Sequence, residues 1–215
     1  MASSYNRIAG QSVERLAALS DGIFAVAMTI LVLDLRLPTS ATIHSDVQLW
    51  HALGQLGPEI LVYLMSFLTL GIFWIGQQTQ LNHLERGNRS LAWIHIMFLF
   101  AVTLVPFSTR LLAEFLSYRT ALLIYWGNIL LIGIAVYFSW SCAIGLKLTK
   151  PDMPSEVPKA IKRRIVIAQS LYAFGALLCI FNTYWSIAFI ILVQLNYVIA
   201  PRVRLPFSRR HSNAT

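Results

Sequence analysis

The sequence is poor in charge, because Asp, Glu, Lys and Arg together make up 12% of its 215 residues. Soluble domains carry roughly 25% charged residues, so this chain lacks the side chains to cover a surface in water. Hydrophobic residues make up 57% of the sequence, and most of them must therefore face lipid. The length accommodates about six spans of roughly 20 residues with short connections, which excludes a sizeable soluble domain.

Residue types that bind metals or carry out catalysis are also scarce. The two cysteines, Cys142 and Cys179, lie in apolar runs that the topology below places in opposite leaflets, which argues against a disulfide. No two of the five histidines share a metal-ligand spacing, and only His95 falls within a predicted span. An inter-helix hydrogen bond is its expected role. We find no Ser/His/Asp set and no nucleotide-binding loop, and we expect no enzyme activity, cofactor or metal site.

The apolar runs predict an all-α integral membrane protein with six transmembrane helices in one unit covering 1–215. The predicted spans are 13–35, 57–81, 91–115, 120–146, 163–182 and 184–200. Pro106 is predicted to kink the third span, and Ser108 and Thr109 follow it closely enough to satisfy the freed backbone groups. Residues 45–56 are predicted to form a short amphipathic helix at the outer surface, capped by Ser45.

The distribution of basic residues predicts the orientation. Fourteen of the seventeen Lys and Arg residues lie in the tails, at the start of span one and in the loops 82–90 and 147–164; the other three are Arg36, Arg110 and Arg119. Loops rich in Lys and Arg stay in the cytoplasm. We therefore expect a multi-pass protein of the cell inner membrane with both termini and a basic tail, 201–215, in the cytoplasm. The net charge of +8 then reflects topology rather than nucleic-acid binding. No cleavable signal peptide is expected, because residues 1–14 lack its basic and apolar regions.

The first span has two distinct stripes. At 100° per residue, four bulky residues fall within about 60° of Val26: Leu19, Ile23, Ile30 and Leu33. Small residues run beside them and permit close helix packing: Ala18, Gly22, Ala25 and Thr29. By spacing alone the bulky stripe is either lipid-facing, core or pore-lining. Arg15, Ser20 and Asp21 are polar groups at the cytoplasmic end, which either seek partners on other helices or lie at headgroup level.

The run from Arg15 to Asp21, RLAALSD, resembles the R-x-x-x-F-S-D signature of the transmembrane-protein-175 family of potassium channels. The following GIFAVAMT and LVLDLRLP, the Phe73-Trp74 pair and the PFST of 106–109 add agreement. Two positions depart from the family pattern. Leu19 stands where the family has Phe, and Gln77 stands where many bacterial members have His, changes expected to weaken contacts between helices.

The resemblance implies a homotetramer of six-span subunits in the lipid bilayer, with span one of each subunit around a central pore that conducts K⁺. The family has no T-V-G-Y-G filter, and none occurs here. Rings of aliphatic side chains would take its place, carried over to Val26, Ile30 and Leu33, with Thr29 beside them. Arg15, Ser20 and Asp21 would hold the helices together. A proton channel of the same architecture and a secondary transporter are the alternatives, although span one has neither the central break nor the mid-depth charge typical of transporters.

Overall fold

The structure, a computed structural model, describes residue 10 and the ranges 12–35 and 43–199. Several of the sequence features lie outside the described residues: most of the stretch 1–14, the segment 36–38 with Arg36, the predicted basic tail 201–215, and residue 200 of the sixth predicted span. Within the described ranges the chain is helical and forms no extended strand. One isolated bridge, between Leu84 and Thr149, joins the two loops on the predicted cytoplasmic side.

Eight α-helices follow one another along the described chain: α1 (Val13–Leu33), α2 (Asp46–Gln55), α3 (Gly57–Asn82), α4 (Arg89–Thr103), α5 (Val105–Glu114), α6 (Arg119–Gly145), α7 (Val157–Leu177) and α8 (Thr183–Ile199). A single 3₁₀ turn, Leu178–Ile180, extends α7. The predicted all-α membrane fold is confirmed. Five of the six predicted spans are long and apolar enough to cross a membrane, with α4 and α5 forming the third, and the sixth, α8, is shorter at 17 residues.

Helix starts follow the local sequence. Ser12, Ser45 and Asn88 cap α1, α2 and α4, each accepting a hydrogen bond from a backbone amide in the first turn. Helix α7 begins at Val157, six residues before the span predicted from 163. Pro158 suits a first helical turn, where the missing amide is harmless, and the basic residues that follow were taken for a loop.

The predicted kink at Pro106 is present as a break between α4 and α5. Ser108 and Thr109 donate to the carbonyl of Val105, at 3.1 and 2.7 Å. The backbone groups freed at the break form hydrogen bonds with a side chain of another helix, Asn128 of α6. With its amide nitrogen toward Ala101, it donates to that carbonyl at 3.0 Å and accepts from the Val105 amide at 3.1 Å. A buried side chain therefore completes the broken helix.

The helices pack so that α1 and α7 lie on different sides of the subunit. Helix α1 packs mainly against α3, α4 and α5, whereas α7 packs against α6 and α8, and α8 also packs against α3. One core cluster joins α1, α3, α4 and α6 around Phe24 and Phe98. Another joins α3 and α6 to α7 and α8 around Tyr125. Helices α3 and α6 thus contribute residues to both core clusters and separate α1 from α7.

Candidate pore helix and its anchoring contacts

Helix α1 has one packed face and one open face. The packed face repeats at intervals of three and four residues, as one side of an α-helix requires, and its buried members are Leu16, Ser20, Phe24, Ala27 and Leu31. Phe24 contacts the ring of Phe98 on α4, with the ring centroids 5.9 Å apart. This face determines which side of α1 is turned toward the rest of the subunit.

Ser20 is the polar centre of the packed face and is fully buried. Its hydroxyl donates to the Leu16 carbonyl at 2.9 Å, which uses its only proton. The same oxygen lies 2.7 Å from Nε2 of His95 on α4 and 3.3 Å from Nε2 of Gln77 on α3. With the Ser20 proton on the Leu16 carbonyl, the matching tautomer of His95 carries its proton on Nε2, and Ser20 then accepts from both His95 and Gln77. We call Ser20, His95 and Gln77 the Ser20 cluster; it joins three helices in a buried site.

Asp21 makes a second set of contacts, one residue further along α1. Its Oδ1 accepts hydrogen bonds from Nε1 of Trp74 at 2.8 Å and Nε2 of Gln78 at 2.7 Å. Both donors lie on α3 and are four residues apart, so they present to the same side of that helix. Asp21 itself is exposed in the subunit. The Asp21 carboxyl group thus has neutral donors, rather than a cation, as its partners.

The third predicted anchoring residue, Arg15, is not brought into these contacts. Its backbone amide donates to the cap Ser12 at 3.2 Å, and its side chain is exposed. Among the described residues it forms no side-chain hydrogen bond or ion pair. No contact within the subunit tests its predicted role in holding the pore helices together, so that role stays a prediction.

The open face of α1 carries the predicted constriction. Val26, Ile30 and Leu33 are 55%, 41% and 78% exposed, respectively. Thr29 is exposed beside them, and its hydroxyl donates back to the carbonyls of Ala25 and Val26 at 2.9 Å. These four side chains therefore lie along one unpartnered surface of the subunit. Their role as a constriction stays a prediction.

The small-residue stripe is also open. Ala18, Gly22 and Ala25 are exposed, and no heavy atom lies within 4 Å of the position that a Cβ on Gly22 would occupy. Of the bulky stripe, Ile23 alone turns inward far enough to pack against the core around Phe24. The open face thus combines a bulky stripe with a flat stripe that another helix could approach closely.

Four residues in these contacts were given no site role from the sequence: Trp74, Gln77, Gln78 and His95. His95 was expected to make an inter-helix hydrogen bond, but its partner Ser20 lies 75 residues away and could not be named. Gln77 was expected to weaken the contacts, yet it donates to Ser20 while its own Oε1 is buried without a partner. The available signal was the run of polar residues, Gln77 and Gln78, within an apolar helix.

Comparisons with known proteins agree with the motif in span one. A sequence model of the family described as endosomal/lysosomal potassium channel TMEM175 matches residues 15–106. A potassium channel of Streptomyces collinus is 38% identical over 102 residues, which are 47% of this chain and 48% of that protein. A potassium channel of Chamaesiphon minutus is 28% identical over 189 residues, 86% of this chain and 93% of the relative.

The vertebrate relatives carry a different name. The endosomal/lysosomal proton channel TMEM175 of Bos taurus is 30% identical over 109 residues, 48% of this chain and 23% of that protein. The chain thus spans a small part of the vertebrate relatives and about half of the Streptomyces relative.

The similarity in fold covers more of the chain than the sequence model, which ends at residue 106. The crystal structure of a lysosomal potassium-selective channel TMEM175 homolog from Chamaesiphon minutus superposes with a TM-score of 0.76 and 27% sequence identity. The superposition covers 87% of this chain and 97% of that one. Over residues 15–106 the chain is therefore similar to the TMEM175 family of ion channels, and its fold is similar to that of the Chamaesiphon minutus homolog.

Proposed function

We propose that this chain is the subunit of a potassium-selective channel, a homotetramer with the four α1 helices around a central pore. The observation that carries the proposal is that α1 has one packed face and one open face. The helix is fixed to its own subunit by the Ser20 cluster and Asp21, while its open face has no partner within the subunit. A membrane helix held on one side and open on the other is placed to line a path between subunits.

The small-residue stripe supports assembly through α1. Interfaces between membrane helices are rich in Gly, Ala, Ser and Thr, because small side chains let backbones approach. Gly22 and Ala25 are exposed next to Val26 on this helix. Four copies of α1 could pack through this stripe and turn Val26, Ile30 and Leu33 inward. Apolar and single small residues are exposed on the other helices as well, so what distinguishes α1 is a continuous exposed stripe of small residues at helical spacing.

The constriction would act through dehydration. Without a ring of carbonyls, an ion that passes the apolar side chains must give up water there. K⁺ holds its water less tightly than Na⁺, so a narrow apolar ring favours K⁺. Thr29 is near enough to influence passage, although its hydroxyl is engaged by the backbone of α1.

The names of the relatives support conduction of K⁺, since the Streptomyces and Chamaesiphon proteins are named potassium channels. Proton conduction is the second candidate, favoured by the name of the vertebrate relatives. Channel families are not enzyme classes, and we propose neither a catalytic role nor a cofactor for this chain. A secondary transporter would need a coupling ion for net flux, whereas a channel conducts passively.

The decisive experiment is a flux assay on the purified protein in liposomes under K⁺, Na⁺ and H⁺ gradients. We expect passive K⁺ flux well above Na⁺ flux. Flux of protons alone would favour the second candidate, and flux that requires a second ion gradient would favour a transporter.

Crosslinking tests the position of α1. In a background with Cys142 and Cys179 replaced by Ala, a cysteine at Val26 should join subunits in pairs on mild oxidation. The matched control is a cysteine at Leu192 on α8, which is 65% exposed but lies on a helix that does not pack mainly on α1. Crosslinking at Leu192 but not at Val26, or a stable monomer in lipid, would contradict the tetramer around α1.

We also propose that the protein lies in the inner membrane with both termini in the cytoplasm. The support is the excess of Lys and Arg in the tails and in the loops 82–90 and 147–164. A reporter fused to the C-terminus and active only in the cytoplasm should be active, and one active only outside should be silent. The opposite result would overturn the orientation.

A further inference from the structure

A cavity of about 240 Å³ lies between α3, α6, α7 and α8, apart from the face of α1 described above. Its walls are mostly apolar, and Phe73, Val136 and Ile165 contribute to them. The pockets that enclose a whole drug-sized ligand measure roughly 300–1,000 Å³. This cavity is smaller, so it suits one segment of an apolar chain rather than a complete molecule.

One cation borders the cavity, the guanidinium of Arg164 on α7. It lies over the ring of Tyr197 on α8, 5.6 Å from the ring centroid. Arg164 is exposed and forms no hydrogen bond or ion pair with any described residue. The stretches outside the described ranges contain no Asp or Glu, so no side-chain carboxylate there could pair with it. Stacking on an aromatic ring orients a guanidinium while its N–H groups remain available for a planar or tetrahedral anion.

The cavity lies at one end of the bundle. Thr79 and Tyr197 border it from the last turns of α3 and α8, and Arg164 lies two turns into α7. At 1.5 Å per residue, Arg164 is about 10 Å above the start of its helix. With the proposed orientation, this is the cytoplasmic leaflet, near the boundary between headgroups and acyl chains.

The first turns of α7 make the mouth of this region strongly basic. Lys159, Lys162 and Arg163 precede Arg164, against the single acid Glu156 at the helix cap. Lys162 lies over the ring of Tyr137 on α6, 5.4 Å from its centroid, which holds a second cation against the bundle surface. Basic pockets between membrane helices on the cytoplasmic side are suited to anionic lipid headgroups.

We infer that this cavity binds one anionic phospholipid, with its phosphate on Arg164 and one acyl chain in the apolar cavity. Two other occupants fit less well. The tail 201–215 follows α8 but carries four Arg and no acid, so Arg164 would repel it. A neighbouring subunit would have to reach the side of the bundle away from α1. That last point rests on the proposed tetramer around α1.

The test measures lipid bound to the purified full-length protein by native mass spectrometry. Micelles contain equal amounts of palmitoyl-oleoyl phosphatidylglycerol and the matching phosphatidylcholine. We expect the wild type to retain phosphatidylglycerol preferentially. Arg164→Gln should lower that preference about fivefold, which corresponds to the roughly 1 kcal/mol that a basic residue contributes near an anionic surface. Arg163→Gln, the matched control, removes the same charge from the neighbouring exposed position that does not line the cavity, and should change the preference less than twofold.

A second pair of variants tests the acyl chain. Ala168 lines the cavity, so Ala168→Phe should fill it and reduce retention of both lipids. Ile167→Phe adds the same ring at a neighbouring position that is 44% exposed and does not line the cavity, and should leave retention unchanged. Thermal unfolding shows whether each variant is folded. If Arg164→Gln does not fold, Arg164→Lys replaces it, and an intermediate loss is expected.

Three results would overturn the inference. Equal losses in Arg164→Gln and Arg163→Gln would mean general surface attraction only. Unchanged retention in Ala168→Phe would mean that no chain enters the cavity. Displacement of the lipid by millimolar glycerol 3-phosphate would identify a site for free phosphate instead. Lipid binding is measured independently of conduction. If the protein conducts K⁺ but shows no lipid preference, only this inference is wrong. If it binds the lipid but does not conduct, only the proposed function is wrong.

Discussion

The packed and open faces of α1 carry similar apolar side chains but have different surroundings. Phe24 and Leu31 on the packed face are 1% and 0% exposed, whereas Val26 and Leu33 on the open face are 55% and 78% exposed. Hydrophobicity does not separate the faces, because lipid is as apolar as Leu. What separates them is hydrogen bonding and size. Ser20 and Asp21 bind α3 and α4, and the small residues lie on the other side.

This contrast has a functional meaning. The contacts of the packed face resist rotation of α1, so the open face is presented in a fixed direction. A change on the packed face should therefore affect stability, and a change on the open face should affect permeation.

The largest expected effect is on the packed face. Phe24→Ala removes a buried ring that packs against Phe98 and should lower the free energy of unfolding by about 3–5 kcal/mol, as buried Phe-to-Ala changes do. Unfolding in mixed micelles with increasing denaturing detergent measures this. Val26→Ala is the control, since its side chain is exposed within the subunit, and it should cost well under 1 kcal/mol there. Equal losses at the two positions would show that the faces are not distinct.

The next effect concerns permeation through the open face. Val26→Ala and Leu33→Ala should widen an apolar ring, and Ile30→Asn should make it easier to wet. We expect the permeability ratio of K⁺ to Na⁺ to fall on the order of tenfold for the narrowest ring, equivalent to about 1.4 kcal/mol, while total current holds or rises. Reversal potentials under bi-ionic gradients give the ratio. If all three variants keep the parent ratio and Ile30→Asn only impairs insertion, the open face meets lipid and the selectivity lies elsewhere.

The hydrogen bonds of Asp21 should contribute less. A loss of 3–5 kcal/mol is expected only for a buried charged pair, and Asp21 is exposed and bound by neutral donors. Hydrogen bonds between membrane helices average roughly 0.6 kcal/mol, so Asp21→Ala should cost about 1 kcal/mol for two. A double-mutant cycle with Trp74→Phe, which removes the Nε1 donor, should recover about half of that as coupling energy.

Trp93, which is 57% exposed on α4, supplies the control cycle for Asp21. Trp93→Phe should show no coupling to it. A well-assembled Asp21→Ala channel with altered ion selectivity alone would place Asp21 in the pore rather than among the anchoring contacts.

The smallest effect is expected at Gln77. Its hydrogen bond to Ser20 is long, at 3.3 Å, and its Oε1 is buried without a partner. Gln77→Met removes both a weak bond and an unsatisfied oxygen, so the net change should be within about 0.5 kcal/mol. Ser20→Ala, by contrast, leaves the Nε2 donors of His95 and Gln77 without an acceptor and should cost more. Equal costs would mean that Ser20 contributes no more than Gln77 and is not the centre of the cluster.

The sequence predicted the membrane fold and the features that act within one helix. Runs of apolar residues indicated the spans, Pro106 indicated the break, and the spacing around Val26 indicated the two stripes of α1. The N-cap Ser45 was also correct. These are local properties, since length, backbone geometry and helical period follow from consecutive residues.

The contacts between helices could not be predicted in the same way. Asn128 completes a helix break around residue 104, and His95 meets Ser20 from 75 residues away. Such pairs depend on the rotation and axial offset of two helices, which no single helix encodes. The basic start of α7 was predicted to be a loop because positive charge is disfavoured within a membrane. The helix nevertheless includes these residues, since long Lys and Arg side chains can extend to the membrane surface.

The sequence by itself determined that the chain spans a membrane, where its helices lie, and that α1 carries one polar end and two apolar stripes. Only the tertiary structure decided which side of α1 is held and which is open. The reason is physical, since lipid and protein interior are equally favourable for apolar side chains. The choice between them therefore depends on two polar groups of α1, the buried Ser20 and the exposed Asp21, whose partners His95, Trp74 and Gln78 are supplied by other helices.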